Sequence, residues 1–312
     1  MLDIISVGPG EAVLLTDDAK QAIDRADAVW CAARHAVLVP PEKARPLSPL
    51  EGAIEQMRLS SDAGQSAAVL VSGDAGLYSL LEMLKRKIGG EYLRVHPGVS
   101  ALQLFAARLG VSWQDAKILS AHGRALSESA LCHAVRTHRQ TFCFLDAAHN
   151  PAWVRESLNL GGLENVRLFV GERLSYPDER TEAYDPDATY DPLCMAYIEN
   201  DAPESGLPPV GLSDEAFICG KTPMTKRDVR ALVVSALHLK PNGVVWDIGA
   251  GTGSVSVECA RQCPLGEVYA VEMKDEALDL IRRNAERFHA LNLRVVPGRA
   301  PEVLSALPAP DA

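Results

Sequence analysis

Residues Val245-Trp246-Asp247-Ile248-Gly249-Ala250-Gly251-Thr252-Gly253 set three alternating glycines directly after a short apolar run. Glycines at every second position let the backbone turn sharply and come close to a ligand, because no Cβ obstructs positive φ or the contact surface. The next apolar run, Val268-Tyr269-Ala270-Val271, ends in Glu272. A carboxylate there suits a ribose diol, since it accepts two hydroxyl hydrogen bonds. The spacing is G-x-G-x-G, not the G-x-G-x-x-G that seats a pyrophosphate on a helix N-terminus. The pattern therefore favours S-adenosylmethionine (SAM), a nucleoside without phosphate, over NAD. A purely structural glycine loop is the bland alternative.

The chain has 312 residues, 47% of them hydrophobic, which is material for about two domains with buried cores. Its formal net charge of −10 argues against nonspecific nucleic-acid binding, where a basic patch supplies most of the affinity. From Gly220 onward the chain carries 12 Lys and Arg against 11 Asp and Glu, leaving 19 against 30 in the first 219 residues. Surplus carboxylates promote solubility, so an anionic substrate needs a local basic pocket. The seven cysteines form no C-x-x-C pair and no His-Cys metal spacing. Cys259 and Cys263 lie four apart, as on one helix face, and no metal site is expected. Free thiols point to a reducing cytosol. No apolar run approaches the ~18 residues of a membrane span, and the N-terminus has no leader pattern. The expected location is the cytoplasm, with no membrane partner.

Leu2 to Val7 reads as a strand ending in Gly8-Pro9-Gly10, and Thr16 as the cap of a helix running to about Arg25. Apolar runs recur at Ala28–Cys31, at 67–71, 92–95 and 117–119, with helical stretches at 78–87 and 100–108. Strands alternating with helices predict a mostly parallel sheet. The pattern restarts near Trp113: a helix over 127–137, a strand over 141–145, a helix after Pro151 and a strand over 166–170. Runs at 182–184 and 194–197 are read as antiparallel. Residues 199–223 have the composition of a linker.

Beyond it, Thr225-Lys226-Arg227-Asp228 reads as a capping box, and Val229, Leu232, Val233, Ala236 and Leu237 as one apolar stripe. A strand (244–248), helix (254–263), strand (267–272), helix (276–289) and strand (293–296) follow. These make the first half of a doubly wound sheet. The strand expected next pairs beside the first one, so the first strand is expected to show an open apolar edge, as in a fragment of a longer protein.

Four segments of the first half carry glycine just after an expected strand, where ligands bind in open α/β sheets. They are Val7-Gly8-Pro9-Gly10, Ser72-Gly73-Asp74-Ala75-Gly76-Leu77-Tyr78-Ser79, Pro97-Gly98-Val99-Ser100-Ala101 and Ser120-Ala121-His122-Gly123-Arg124. Together they resemble the tetrapyrrole methylase family, whose members bind folded SAM in a cleft between two α/β subdomains. The stretch from Val170 to Arg180 is similar to the family's version in the cobalamin pathway. Residues 223–312, opening Pro223-Met224-Thr225-Lys226, resemble the methyltransferase that works beside it there.

The resemblance implies an α/β chain in two parts. Residues 1–205 would be a two-subdomain tetrapyrrole methylase of class III (about 1–112 and 113–205), residues 206–222 a linker, and 223–312 a partial Rossmann-like class I SAM methyltransferase. By motif, Pro9, Gly73, Asp74, Leu77, Ser100, Ala101, Leu145, Gly171 and Glu172 would line the first cofactor site. Thr225, Gly249, Gly251, Gly253, Glu272 and Ala300 would line the second. Where the family often has proline, this chain has Ala75, which is expected to loosen the turn without removing the contacts.

The implied activity is methylation of a precorrin at carbons 5 and 15, with loss of carbon dioxide from the ring-C acetate, by a homo-oligomer (dimer or tetramer). Sulfonium is already a strong electrophile, so alignment is the main task and no enzymic nucleophile is expected. Arg124 and Arg173 are candidates to orient substrate carboxylates, with His122 as a proton carrier. Against this, Arg173 and Arg180 could simply pair with Glu172 and Glu179, His122 could only shape its loop, and Asp74 suits a turn better than a general base. His35 and His149 are left as surface or core histidines. Rival readings are a methyltransferase acting on another tetrapyrrole or on RNA, a noncatalytic SAM- or tetrapyrrole-binding fragment, and an NAD dehydrogenase.

Overall fold

The computed structural model describes residues 1–123 and 125–312. Arg124 lies outside the described residues. Two compact units divide the chain. One comprises Met1–Asp115, Phe144–Asp146 and Phe169–Ala196, and the other Ala116–Cys143, Ala147–Leu168 and Tyr197–Ala312.

The first unit is built on β1 (Leu2–Ser6), α1 (Asp17–Arg25), β2 (Ala28–Cys31), β3 (Ala44–Pro46), α2 (Leu50–Asp62), β4 (Ala67–Val71), α3 (Leu81–Ile88), β5 (Leu93–His96) and α4 (Ala101–Leu109). Its sheet runs β3-β2-β4-β1-β5, and every pairing is parallel. Such a sheet is buried on both faces, and the strand residues divide accordingly. Leu2, Ile4, Val69 and Val71 pack with Ala53, Ile54 and Met57 of α2. Ile5, Val7, Ala68 and Leu70 pack with Ala19, Ala22 and Ile23 of α1. The Thr16 hydroxyl caps α1 by accepting the Ala19 N–H at 3.1 Å, as expected. The patterning overlooked β3, which is too short to show a period, and α2, which follows Pro49 with no side-chain cap. The helix expected from 78 starts at Leu81, because Tyr78 sits at φ +50, outside the helical region.

Further along lie β6 (Lys117–Ser120), α5 (Glu128–Thr137), β7 (Gln140–Phe144), α6 (Pro151–Leu160), β8 (Arg167–Glu172), β9 (Arg180–Ala183) and β10 (Cys194–Glu199). The second sheet has the order β6-β7-β10-β8-β9, so β8 separates the runs read as β9 and β10, and β9 lies antiparallel to β8.

The C-terminal elements are α7 (Arg227–Ala236), β11 (Val244–Ile248), α8 (Ser254–Gln262), β12 (Glu267–Glu272), α9 (Asp275–Arg287) and β13 (Leu293–Pro297). Their parallel sheet, β11-β12-β13, shares a core with Phe217, Val257, Cys259, Leu278 and Ile281. The stretch with linker composition is docked: Gly211 and Leu212 donate their N–H groups to Glu258, and the Ile218 N–H goes to Asn284 Oδ1.

Three expectations need correction here. The capping box is not formed, since Lys226 takes the cap position of α7 and no side chain caps it. The apolar stripe faces outward: Val229 and Leu232 are 54% and 71% exposed, while Arg230 and Val234 are the buried residues of α7. Periodicity marks a stripe without saying what covers it, and here an ion pair between Arg230 and Glu258 sets the roll of the helix. Nor is the outer edge of β11 bare. Asp311 N–H donates to the Val244 carbonyl, Trp246 N–H to the Ala312 carbonyl, and the Trp246 indole to the Pro308 carbonyl.

Six of the seven cysteines are buried and all are free. Burial pushes the Cys132, Cys194 and Cys259 thiols up to about 12, so they are protonated and inert. No helix among the described residues is long and apolar enough to cross a membrane.

Candidate functional site

In the first unit, the loops that follow β1, β4 and β5 are stitched into one surface. Gly8 and Gly73, both at positive φ (+68 and +67), exchange their backbone hydrogen bonds as an isolated antiparallel bridge. The Ala75 N–H donates to the buried Ser6 hydroxyl at 2.9 Å. Asp74 Oδ1 accepts from the Gly76 N–H at 2.8 Å, and its Oδ2 lies 3.4 Å from the Gly98 nitrogen. Asp74 is thus a turn-former that also joins two loops, in keeping with the reading against a general base. Ala75 does more than loosen a turn: proline there would lack the N–H that Ser6 receives. A Cβ on Gly98 would stand 2.7 Å from the Ser6 carbonyl oxygen, so glycine is required where the third loop crosses β1.

Ser100 caps α4 in a full capping box with Gln103 and is almost wholly buried, and Ala101 opens that helix. Pro9 is buried beside Gly10, where a side chain would collide with the Tyr176 hydroxyl. Leu145 is buried and donates its N–H to the Cys194 carbonyl. The Leu77 N–H closes a turn onto the Asp74 carbonyl, and the next residue, Tyr78, meets Phe144 edge-on at 5.9 Å. Gly171 leaves room for the Phe105 ring. Glu172 is buried, accepts the Asp191 N–H at 2.7 Å and pairs with Arg180 at 2.9 Å.

The arginine pairing is mixed. Arg180 does pair with Glu172, but Glu179 pairs with Arg108, and Arg173 pairs with Asp178 and Asp191. Arg173 sits at φ +47 in a turn that also puts Ser175 at φ +75. Its guanidinium is held above its ordinary value chiefly by Asp178. His122 is exposed in the loop after β6. His35, left undecided, is a core residue: its Nε2 lies 2.9 Å from the Ser72 hydroxyl, and burial, aided by Arg34, lowers its pKa to about 4. It therefore braces the β4 loop as a neutral ring. Nothing local signals this, because 37 residues separate the partners.

The C-terminal turn is self-contained. Gly249, Gly251 and Gly253 all adopt positive φ, at +81, +57 and +75. Gly249 donates to the Val271 carbonyl and Gly251 to Glu272 Oε2 at 3.0 Å. Glu272 Oε1 accepts the N–H groups of Met273 and Lys274 at 2.8 and 3.1 Å. Burial alone would raise the Glu272 pKa, but these three amides outweigh it and hold the carboxyl below its usual range. A carboxylate has about four acceptor positions, so Oε2 keeps one beyond the Gly251 amide. The Gly298 N–H donates to the Glu272 carbonyl, which draws the Ala300 turn alongside. Thr225 is exposed, and its carbonyl accepts Arg230 Nη1 at 2.7 Å. Asn284, missed in the sequence, is fully buried and donates to the Thr252 and Ile218 carbonyls. Ser256 donates its hydroxyl to Asp247, whose pKa burial raises.

The two turns share one feature that a bound nucleoside needs. A Cβ built on Gly73 or on Gly249 would meet nothing within 4 Å, so no protein atom fills the space beside either strand-end glycine.

Known proteins match in the same two parts. Residues 1–185 match the tetrapyrrole (corrin/porphyrin) methylases, and residues 216–312 the precorrin methyltransferase domain. A precorrin-6Y C(5,15)-methyltransferase [decarboxylating] from Sinorhizobium sp is 33% identical over the whole of this chain and 77% of its own length. A probable cobalt-precorrin-6B C(15)-methyltransferase (decarboxylating) from Pyrobaculum calidifontis is 49% identical over 32% of this chain and 53% of its own. Uroporphyrin-III C-methyl transferase from Thermus thermophilus, crystallised with S-adenyl homocysteine, shares the fold with a TM-score of 0.53. It is 18% identical, over 64% of this chain and 96% of that one.

Proposed function

The chain belongs to the tetrapyrrole (corrin/porphyrin) methylase family, and from that membership we propose that it is a SAM-dependent precorrin-6Y C(5,15)-methyltransferase (decarboxylating) of cobalamin biosynthesis. The observation that carries this reading is the pair of strand-end glycine turns, at Gly73 and Gly249, each with no protein atom where a Cβ would stand and each in the part matched by a different methyltransferase family. We assign the carbon 5 methylation to the first site, and the carbon 15 methylation with decarboxylation to the second. That division rests on the C(15)-methyltransferase name of a relative that matches only about a third of this chain.

SAM, when bound, supplies an electrophilic methyl group. The residues have positioning work to do. Gly73, Asp74 and Leu77, with Pro9, Ser100, Ala101, Leu145, Gly171 and Glu172, hold the first cofactor, and the capped end of α4 fixes Ser100. Gly249, Gly251 and Gly253 shape the second turn, Glu272 takes a ribose hydroxyl through its remaining Oε2 position, and Thr225 and Ala300 flank it. Holding reactants in line in this way removes ~7–11 kcal/mol of barrier. Arg124, Arg173 and His122 are the proposed substrate-orienting and proton-carrying groups. We further propose a cytoplasmic homo-oligomer without nucleic-acid or membrane partners, a reading supported by the net charge of −10.

Mass spectrometry of precorrin-6Y incubated with SAM and the chain tests the reading. Two added methyl groups with loss of one carbon dioxide are expected. One methyl with the carboxylate kept would confine activity to the first site, and no gain at all would remove the assignment.

A further inference from the structure

Within the second compact unit, a cavity of about 260 Å³ is lined by residues of α5, of α8 and of the end of α9. No residue of either cofactor site reaches it. Its walls are tied together by direct bonds. The Ser129 hydroxyl donates to the Pro264 carbonyl at 2.8 Å, Arg136 Nη2 donates to the Gly161 carbonyl at 2.6 Å, and His289 Nδ1 lies 2.8 Å from the Leu160 carbonyl oxygen.

The lining is cationic in a protein whose formal net charge is −10. Arg136, Arg261 and Arg287 face one carboxylate, Glu204, which is half exposed and stands 3.7 Å from Arg136. Arg261 Nη1 is buried and has no hydrogen-bond partner. Burial, the main influence on this guanidinium, pushes its pKa down, with Glu258 and Glu204 opposing, yet arginine remains charged in proteins. Buried polar groups are ordinarily satisfied, so Arg261, a half-buried residue of the cavity wall, carries a guanidinium whose bonding is incomplete. The space exceeds the ~30 Å³ share of a single water, and guanidinium forks match the geometry of carboxylate and phosphate oxygens.

We propose that this cavity binds a small polyanion, a carboxylate or phosphate compound, held by the guanidinium groups of Arg136, Arg261 and Arg287 in its wall. The bound anion bridges α5 to α8 and α9 and so stabilises the second unit.

The test uses the full chain in a chloride buffer, with inorganic phosphate and citrate titrated separately, followed by thermal unfolding and calorimetry. Saturable binding of at least one anion, one per chain, with a rise in Tm of about 2–4 °C, is expected. Binding of citrate alone identifies a carboxylate source, and of phosphate alone a phosphate source. Arg261→Gln should weaken binding at least about tenfold, and Arg287→Gln, an exposed side chain, about threefold. SAM binding should stay unchanged in both. Absence of saturable binding by either anion overturns the proposal, as does equal binding in both variants, which would mean an adventitious ion only. If Arg261→Gln does not fold, the affinity of Arg287→Gln decides. None of these measurements reads methyl transfer, so their outcome is separate from that of the proposed activity.

Discussion

In the first unit the site surface is assembled by bonds between distant residues: Ala75 reaches Ser6, Gly98 reaches Asp74, and Asp191 reaches Glu172. The C-terminal turn instead closes inside one β-α-β step, where Gly251 binds Glu272 and the carboxylate gathers its own two following amides. The first site therefore depends on the packing of a whole sheet and several loops. The second depends on one turn and on the buried residues behind it. Damage to the first should spread through loop contacts, and damage to the second should come from loss of a few strong polar bonds.

The largest expected effect tests what lies behind the second turn. Arg230 and Glu258 are both fully buried, and Arg230 also bonds to Asp214 and to the Leu212 and Thr225 carbonyls, with Phe217 against its face. Arg230→Met leaves Glu258 charged and unpaired, at a cost of ~3–5 kcal/mol. Denaturant unfolding should show this loss, and the first methyl transfer should survive it. Loss of both activities together would break the contrast between the two regions.

Glu272→Gln comes next, weakening three amide bonds to a charged acceptor worth ~1.5–3 kcal/mol. Product analysis should show one methyl added and the carboxylate kept. A pH series sharpens the point. The folded pKa of Glu272 lies below its ordinary value, so its stabilisation is complete above that ordinary value and disappears as acid takes the pH down through the folded one. The variant should lose this acid-side decline, and an unaltered acid limb would contradict the amide bonds described for the turn.

At the first site, Gly98→Ala forces a Cβ against the Ser6 backbone, costing ~1–3 kcal/mol. Calorimetry should show loss of the first cofactor site with the second intact. The smallest effect is expected from Ala75→Pro, which removes one N–H bond to Ser6 worth ~0.5–1.5 kcal/mol. A variant as stable as the parent would show that the Ser6 contact contributes little.

Much of the strand pattern was legible because parallel strands buried on both faces are continuous apolar runs, as at Ala67–Val71. The C-terminal elements were read to within a residue or two, since glycine and acid punctuation marks their ends. Legibility failed where the partner was non-local or polar. The stripe on α7 had the period of a core face, yet a buried ion pair holds Arg230 inward and leaves Leu232 outside. Of the partners of Arg173, Asp191 approaches from across a hairpin-like excursion, whereas Asp178 lies only five residues on.

The order of elements, the glycine turns and the acid after β12 are local matters of φ, spacing and hydropathy, and the chain's own residues decided them. Which loops share a surface and which side chain stands behind a turn depend on contacts between residues tens of positions apart. Such contacts form only when sheets and helices pack, and only the tertiary structure decided them.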